Sequence, residues 1–291
     1  MKRLSFSKMH GLGNDFMVVD ATKQPFNLTA DEIGRLGNRK TGVGFDQLLV
    51  VEPARRDDVD FNYRIFNTDG SEVQHCGNGA RCFAKFVRDK QLSDKRELLV
   101  QVKKGLITIT YCDDDHIEVA MGQPILIPAD VPFDYPSPHY QRRYQLVIND
   151  QMYRVSVISM GNPHVVLFVE NLWSLDIEPL GKAIQQSHYF PESVNVNFVE
   201  PISEKQIELR TYERGVGETD ACGTGACASA FVHYRNAHLS EGGEVRTAMA
   251  MEGANIAVKV RGGQLLIRID DRDNIFMSGS ARWVFDGQLT I

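Results

Sequence analysis

Glu72-Val73-Gln74-His75-Cys76-Gly77-Asn78-Gly79-Ala80-Arg81-Cys82 decides the fold, because it returns, altered, as Glu218-Thr219-Asp220-Ala221-Cys222-Gly223-Thr224-Gly225-Ala226-Cys227. Each copy sets a cysteine before Gly-x-Gly-Ala and then a helical pattern. The spacing predicts that each thiol caps the start of a helix, where unsatisfied N–H groups and the positive dipole end favour negative charge. An ordinary cysteine titrates near ~8.5 and falls to roughly 3.5–7.5 in such surroundings. Two such thiols point to a working pair.

Cys76 and Cys222 stand 146 positions apart in a chain of 291, half its length, which is the mark of a duplicated domain. The same offset pairs Arg64 with Arg210, Phe66 with Tyr212, Asn67 with Glu213, Glu72 with Glu218 and Ala84 with Ala230. Upstream, an offset of 148 aligns Gly13-Asn14 with Gly161-Asn162, Gln47 with Asn195, and Glu52-Pro53 with Glu200-Pro201. One loop indel accounts for the slip. A single short glycine motif arises by chance; four matches in the same order do not.

The hydrophobic share of 43% and charged share of 24% are those of a globular protein with a sizeable core. A net charge of −6, with no clustered basic face, argues against a nucleic-acid partner. No apolar run approaches membrane-spanning length, and Lys2-Arg3 is not followed by the apolar core of a secretory signal. Five cysteines, an odd number, fit reduced thiols in the cytoplasm better than a disulfide framework. Neither Cys76/Cys82 nor Cys222/Cys227 has zinc-ligand spacing, so no metal is expected. Without a Rossmann or P-loop pattern, or a lysine marking a pyridoxal site, no cofactor is expected either.

Residues 4–20 read as two extended stretches around a polar loop, and Thr29-Ala30-Asp31-Glu32 has the spacing of a capping box opening a helix that Gly42 closes. Strands follow at 47–51 and 61–66, then the first cysteine helix, apolar on several sides and therefore predicted to be buried. Three short strands span 98–121. Prolines at 124, 128, 132, 136 and 138 mark an extended connection. Beyond it come strands near 144–148, 153–158 and 164–169, a helix near 174–187, strands near 194–199 and 206–212, the second cysteine helix, and a final set from 256. The closing segment from Ile275 has no counterpart in the first half and is expected to cross back to the first sheet. The predicted fold is α+β, with two pseudo-symmetric domains, each a curved, mostly antiparallel sheet or barrel wrapped around a central helix. The expected lobes are 1–123 plus 280–291, carrying Cys76, and 124–279, carrying Cys222.

Paired thiols at helix starts could be a disulfide couple, a nucleophile with a bystander, or an acid and a base facing one carbon. Pseudo-symmetry favours the last, since inverting a stereocentre takes proton removal on one face and delivery on the other. Helix starts and Gly-x-Gly amides also suit a carboxylate.

Phe6-Ser7-Lys8-Met9-His10-Gly11-Leu12-Gly13-Asn14-Asp15-Phe16, Gly42-Val43-Gly44-Phe45-Asp46-Gln47, the first cysteine segment, Met160-Gly161-Asn162-Pro163-His164 and Tyr212-Glu213-Arg214-Gly215-Val216-Gly217-Glu218-Thr219 together resemble the diaminopimelate epimerase family. The resemblance covers essentially the whole chain. It implies a cofactor-independent isomerase of lysine and peptidoglycan biosynthesis, converting LL-2,6-diaminopimelate to the meso form, cytoplasmic and homodimeric. Carried over, Cys222 accepts and Cys76 donates the proton in the LL-to-meso direction, with His164 and Glu213 tuning the thiols. Asn14, Gln47, Asn67, Asn162 and Asn195 with Glu213-Arg214 hold the substrate, and Gly77-Asn78 and Gly223-Thr224 supply helix-start contacts. A diamino diacid needs donors for carboxylates and acceptors for ammonium groups, and Arg214 suits bidentate grip of a carboxylate.

Cys82, Cys112 and Cys227 read as packing residues, His10 as a local hydrogen-bonder, and Glu72 and Glu218 as complements to their helix dipoles. Phe285 stands where many relatives carry a dimer-contact tyrosine, which leaves ring packing without a hydroxyl. The stretch Glu241 to Gly262 is longer than the family norm. Two rivals remain: another two-thiol racemase, such as proline racemase, and a redox-switchable binding protein in which Cys76 and Cys222 join. The first is disfavoured by Asn67, Asn195 and Glu213-Arg214, which suit a second amino acid centre.

Overall fold

A computed structural model of the chain describes residues 3–73, 76–103, 105–112, 116–238 and 253–291. Most of the long 241–262 segment and the Gln74-His75 dipeptide lie outside the described residues. The chain divides into two compact units, one of Met1–Ala120 with Ser278–Ile291 and one of Met121–Met277.

In the first unit, β1 (Arg3–Gly11) and β2 (Asn14–Asp20) form an antiparallel hairpin. Helix α1 (Ala30–Gly37) crosses over to β3 (Gln47–Pro53), which lies parallel to β2. Parallel neighbours require such a crossover. Strands β4 (Phe61–Asn67) and β5 (Glu72–Val73) continue antiparallel. Helix α2 (Gly77–Asp89) leads to β6 (Glu97–Gln101), parallel to β4, and β7 (Leu106–Tyr111) and β8 (Ile117–Gly122) close the series. The C-terminal strand, Arg282–Thr290, pairs antiparallel with β1.

The second unit repeats this plan. Strand β9 (Tyr144–Ile148) flanks β10 (Gln151–Ser159) as the C-terminal strand flanks β1, and β10 turns back into β11 (Pro163–Phe168). Helix α3 (Glu178–Gln185) crosses to β12 (Asn195–Ser203), parallel to β11. Then β13 (Gln206–Glu213) and β14 (Gly217–Thr219) run antiparallel, and α4 (Gly223–His238) precedes β15 (Ala254–Val260), parallel to β13, and β16 (Gly263–Ile269). The register repeats as well. Phe16 opposes Gln47 as His164 opposes Asn195, and Phe66 opposes Glu72 as Tyr212 opposes Glu218. The fold is therefore the duplicated α+β arrangement that the paired motifs imply.

Each cysteine helix is enclosed. Residues 77–84, 86 and 87 of α2 are buried, and so are Ala226, Cys227, Ala228, Ala230, Phe231 and Tyr234 of α4. Burying a side chain such as Phe83 or Phe231 contributes about 1.5–3 kcal/mol. After their first turns neither helix contains a Pro or a Gly, so nothing in the backbone interrupts them inside that enclosure.

Two boundaries differ from expectation. Helix α1 has its capping box from Thr29 and Glu32 but ends at Gly37 with Asn38 as cap, not at Gly42. Gly42 instead packs against the last carbonyls: an added Cβ would fall 2.3 Å from the Arg35 oxygen and 2.4 Å from that of Leu36. Helix α3 starts at Glu178, because Pro179 is tolerated only in a first turn. Cys112 is exposed rather than a packing residue, whereas Cys82 and Cys227 are buried.

Candidate active site

Both cysteines cap their helices in the same way. The Cys76 carbonyl accepts from the Ala80 N–H at 2.8 Å and its sulfur from the Gly79 N–H at 3.4 Å. The Cys222 carbonyl accepts from Ala226 at 2.9 Å and its sulfur from Gly225 at 3.3 Å. A thiol thus takes the place of the usual Ser or Asp cap. The second glycine of each Gly-x-Gly is sterically required. At Gly79 a Cβ would meet the Tyr63 hydroxyl at 2.4 Å, and at Gly225 the Asn197 Oδ1 at 2.5 Å.

Amides gather around Cys76. Its thiol donates to Asn14 Oδ1 at 3.8 Å, and Asn78 Nδ2 donates to the same oxygen at 3.4 Å. Asn78 is itself set by the buried Arg81, whose Nη2 donates to Asn78 Oδ1 at 2.7 Å and whose Nη1 donates to the Gly77 carbonyl at 3.4 Å. Directly opposed on β3 and β4, Gln47 and Asn67 are joined by an Nε2 to Oδ1 bond of 3.0 Å.

Behind Asn14 stands an ion cluster that motif reading passed over. Asn14 Nδ2 donates to Asp46 at 2.9 Å; Arg39 bridges Asp46 and Asp15 at 2.7 Å each; Lys8 binds Asp15 and the Gly44 carbonyl. Burial pushes the Asp15 carboxyl up, but Arg39 and Lys8 outweigh it and draw it down to about 2. Its signal in the sequence is the charge alternation of Lys8, Asp15, Arg39 and Asp46 beside glycine turns.

Cys222 is a buried thiol bonded to the Thr224 hydroxyl at 3.6 Å and to the Glu213 carboxylate. Burial first, and then the Glu213 charge, push this thiol well above its ordinary value, while Thr224 and the Gly225 N–H pull it down. The helix start is thus outweighed, and the low-titrating thiol expected at this position is not what the buried setting produces. Glu213 is held at the end of β13 by the Thr219 hydroxyl.

Asn162 Nδ2 donates to Thr224 Oγ1 at 3.3 Å, and its Oδ1 lies 3.1 Å from His164 Nε2. His164 is fully buried, and burial followed by the Arg214 charge depresses it to about 3, so it is neutral. Asn195 donates to the Pro163 carbonyl at 3.1 Å and accepts the Arg214 N–H at 3.0 Å, which fixes the turn carrying Glu213-Arg214. The Arg214 guanidinium reaches the Glu192 carbonyl at 2.9 Å.

Glu72 and Glu218, read as complements to their helix dipoles, are each ion-paired within their own sheet. Each takes the two-pronged grip of an arginine on the preceding strand: Arg64 on Glu72 at 3.2 and 3.0 Å, Arg210 on Glu218 at 2.7 and 2.9 Å. Among the described residues, no three His, Cys, Asp or Glu side chains converge as a metal site would require.

A family model described as diaminopimelate epimerase matches residues 6–127 and 156–284. The chain is 46% identical over 285 residues to a diaminopimelate epimerase of Psychrobacter sp. (strain PRwf-1), covering 98% of this chain and 94% of that one. It is 45% identical over 290 residues to the diaminopimelate epimerase of Teredinibacter turnerae, covering 99% and 100%. In fold it is similar to a PhzF-family phenazine biosynthesis protein from Bacillus anthracis, with a TM-score of 0.67, 18% identity and 100% of both chains covered. It is also similar to a hydroxyproline epimerase from Agrobacterium vitis, with a TM-score of 0.65, 15% identity and 99% and 92% covered.

Proposed function

The chain belongs to the diaminopimelate epimerase family, and from that premise we propose that it interconverts LL- and meso-2,6-diaminopimelate with Cys76 and Cys222 as its two acid-base groups. The observation that carries the reading is the repeated cap: each duplicated half sets before its Gly-x-Gly motif a cysteine whose sulfur accepts a helix-start N–H.

In the LL-to-meso direction, the Cys222 thiolate takes the proton from the α-carbon and becomes a thiol. The Cys76 thiol gives its proton to the opposite face of the same carbon and becomes a thiolate. One C–H bond breaks and one forms, and turnover in reverse exchanges the roles. The thiolate on Cys222 is favoured by the Gly225 N–H and the Thr224 hydroxyl; Glu213, which accepts the thiol's hydrogen bond, is placed to take that proton beforehand.

Asn14, Gln47, Asn67 and Gly77-Asn78 of the first unit bind the substrate, as do Asn162, Asn195, Glu213-Arg214 and Gly223-Thr224 of the second. Amides and an arginine suit carboxylate and ammonium groups together. Reduced cysteines suit a cytoplasmic enzyme. Phe285 supports a homodimer, since it is 47% exposed on the C-terminal strand and edge-stacked on Phe6.

Incubation with LL-diaminopimelate in deuterium oxide tests the reading. Meso product carrying one deuterium at the inverted carbon is expected. No turnover of that substrate, or product without label, would overturn it.

A further inference from the structure

Beneath Cys222 runs a chain of hydrogen bonds whose direction can be worked out atom by atom. Asn197 is fully buried on β12. One of its side-chain atoms lies 3.1 Å from the Val165 carbonyl, which only accepts, so that atom is the amide nitrogen. The same nitrogen lies 3.1 Å from His164 Nδ1, and Asn197 Oδ1 accepts the hydroxyl proton of the buried Thr211 at 3.0 Å. An N–H facing Nδ1 requires a lone pair there. The neutral ring must then carry its proton on Nε2 and donate it to Asn162 Oδ1. Asn162 in turn presents its nitrogen to Thr224 Oγ1, which leaves the Thr224 proton to point at Cys222 Sγ.

We propose that Asn197, anchored by Thr211, is a positioning residue that locks His164 as its Nε2–H tautomer and so fixes the orientation of Asn162 and Thr224 toward Cys222. This rests on the reading of Cys222 as an acid-base thiol. His164 itself is not a proton acceptor in this arrangement: both ring nitrogens are committed, and its effect on the thiol passes through Asn162 and Thr224. At the equivalent place in the first unit the Tyr63 hydroxyl fills the space against the second glycine that Asn197 Oδ1 fills in the second unit.

The test uses the full-length protein with ¹⁵N-labelled histidine and a long-range ¹H–¹⁵N spectrum, with His164 assigned from a His164→Gln variant. The parent is expected to show His164 protonated on Nε2 and bare on Nδ1, unchanged across neutral pH. Asn197→Asp replaces the donor by an acceptor and should move the ring proton to Nδ1. Thr211→Val should lower kcat about 10-fold or more with a smaller change in KM, and Thr211→Ser should restore it, by the usual cost of losing an orienting partner.

A parent spectrum with the proton on Nδ1, or an unchanged tautomer in a folded Asn197→Asp protein, would overturn the proposal. If Asn197→Asp does not fold, a Thr211→Val protein with parental kcat would overturn it equally. The spectrum is independent of turnover, so a failed epimerase assay with the expected tautomer indicts the substrate assignment and not the lock.

Discussion

The Gly225 N–H points at Cys222 Sγ from 3.3 Å, and the space where a Gly225 side chain would stand is already taken by Asn197 Oδ1. One residue therefore serves the sulfur with its backbone and the amide network with its missing Cβ. Gly225→Ala should cost about 1–3 kcal/mol by overpacking, and it should also disturb His164, because Asn197 is tied to three partners and cannot move alone. Gly79→Ala meets the tip of Tyr63, whose hydroxyl has no such ties. Urea unfolding and kcat measured together should show the larger catalytic loss in Gly225→Ala; parity between the two variants would contradict this account.

Removing either sulfur should abolish inversion by a specific signature. Positioned proton transfer is worth roughly 10²–10⁴-fold, so Cys76→Ala and Cys222→Ala should each lose at least that much in kcat for both directions. Wash-out of the α-hydrogen should be more telling. A variant that keeps only the base for one isomer should still exchange that isomer's proton with solvent while failing to invert it. Full-rate epimerisation by either variant would exclude its thiol.

Much of this was legible in the residues, for a physical reason. Duplication preserves the order of strands and the offset between motifs, so the matching of Cys76 with Cys222 and of Gln47 with Asn195 follows from one repeated pattern, whereas the parallel crossovers through α1 and α3 emerge only in the fold. Local signals also held where residues close in sequence determine the geometry, as in the capping box of Thr29 and Glu32. What stayed hidden depends on contacts distant in sequence. Asn197 shares a strand face with Asn195, two positions away, yet only the packing of β11 beside β12 reveals that it meets His164. Glu72 and Glu218 read as helix complements because their strand arginines lie eight residues back, beyond the reach of a local pattern. The Cys222 thiol departs from the low-titrating group expected at a helix start for a related reason: how deeply the sulfur is buried, and how directly the Glu213 carboxylate faces it, follow only from the packing.

Glu213 sets a prediction in which activity and acidity part. After burial, its charge is the next cause holding the Cys222 thiol up, so Glu213→Gln should lower that thiol's pKa and increase thiolate absorbance at a given pH. Turnover should nonetheless fall, because the group placed to receive the thiol proton is gone. The ultraviolet thiolate titration of a Cys76→Ala background, with and without Glu213→Gln, separates these effects. A titration that shifts upward would show that Glu213 does not oppose the thiolate.

Acid should loosen the first unit through Asp15. Its folded carboxyl titrates at about 2, below the ~3.9 of an unfolded aspartate. The stabilisation it contributes is therefore complete above about pH 4 and is lost as pH falls from there through 2. Asp15→Asn should be less stable than the parent at neutral pH and should flatten the acid limb of the stability curve. An identical loss at pH 7 and pH 2 would rule out the linkage.

The repeated arginine–glutamate grips should differ in strength because their surroundings do. The Arg210 side chain is 8% exposed and also donates to the Leu172 and Leu175 carbonyls, whereas Arg64 is 32% exposed. Removing one partner of a buried pair costs about 3–5 kcal/mol, and the less buried Arg64, although it also reaches Glu52 at 3.3 Å, should cost less. The chain has two tryptophans, Trp173 in the second unit and Trp283 in the first, so Trp283→Phe and Trp173→Phe backgrounds report each unit separately. In urea, Arg210→Met should lower the midpoint seen by Trp173 far more than Arg64→Met lowers the one seen by Trp283. Equal shifts would mean that the two bound carbonyls and the deeper burial of Arg210 add nothing to its hold on Glu218.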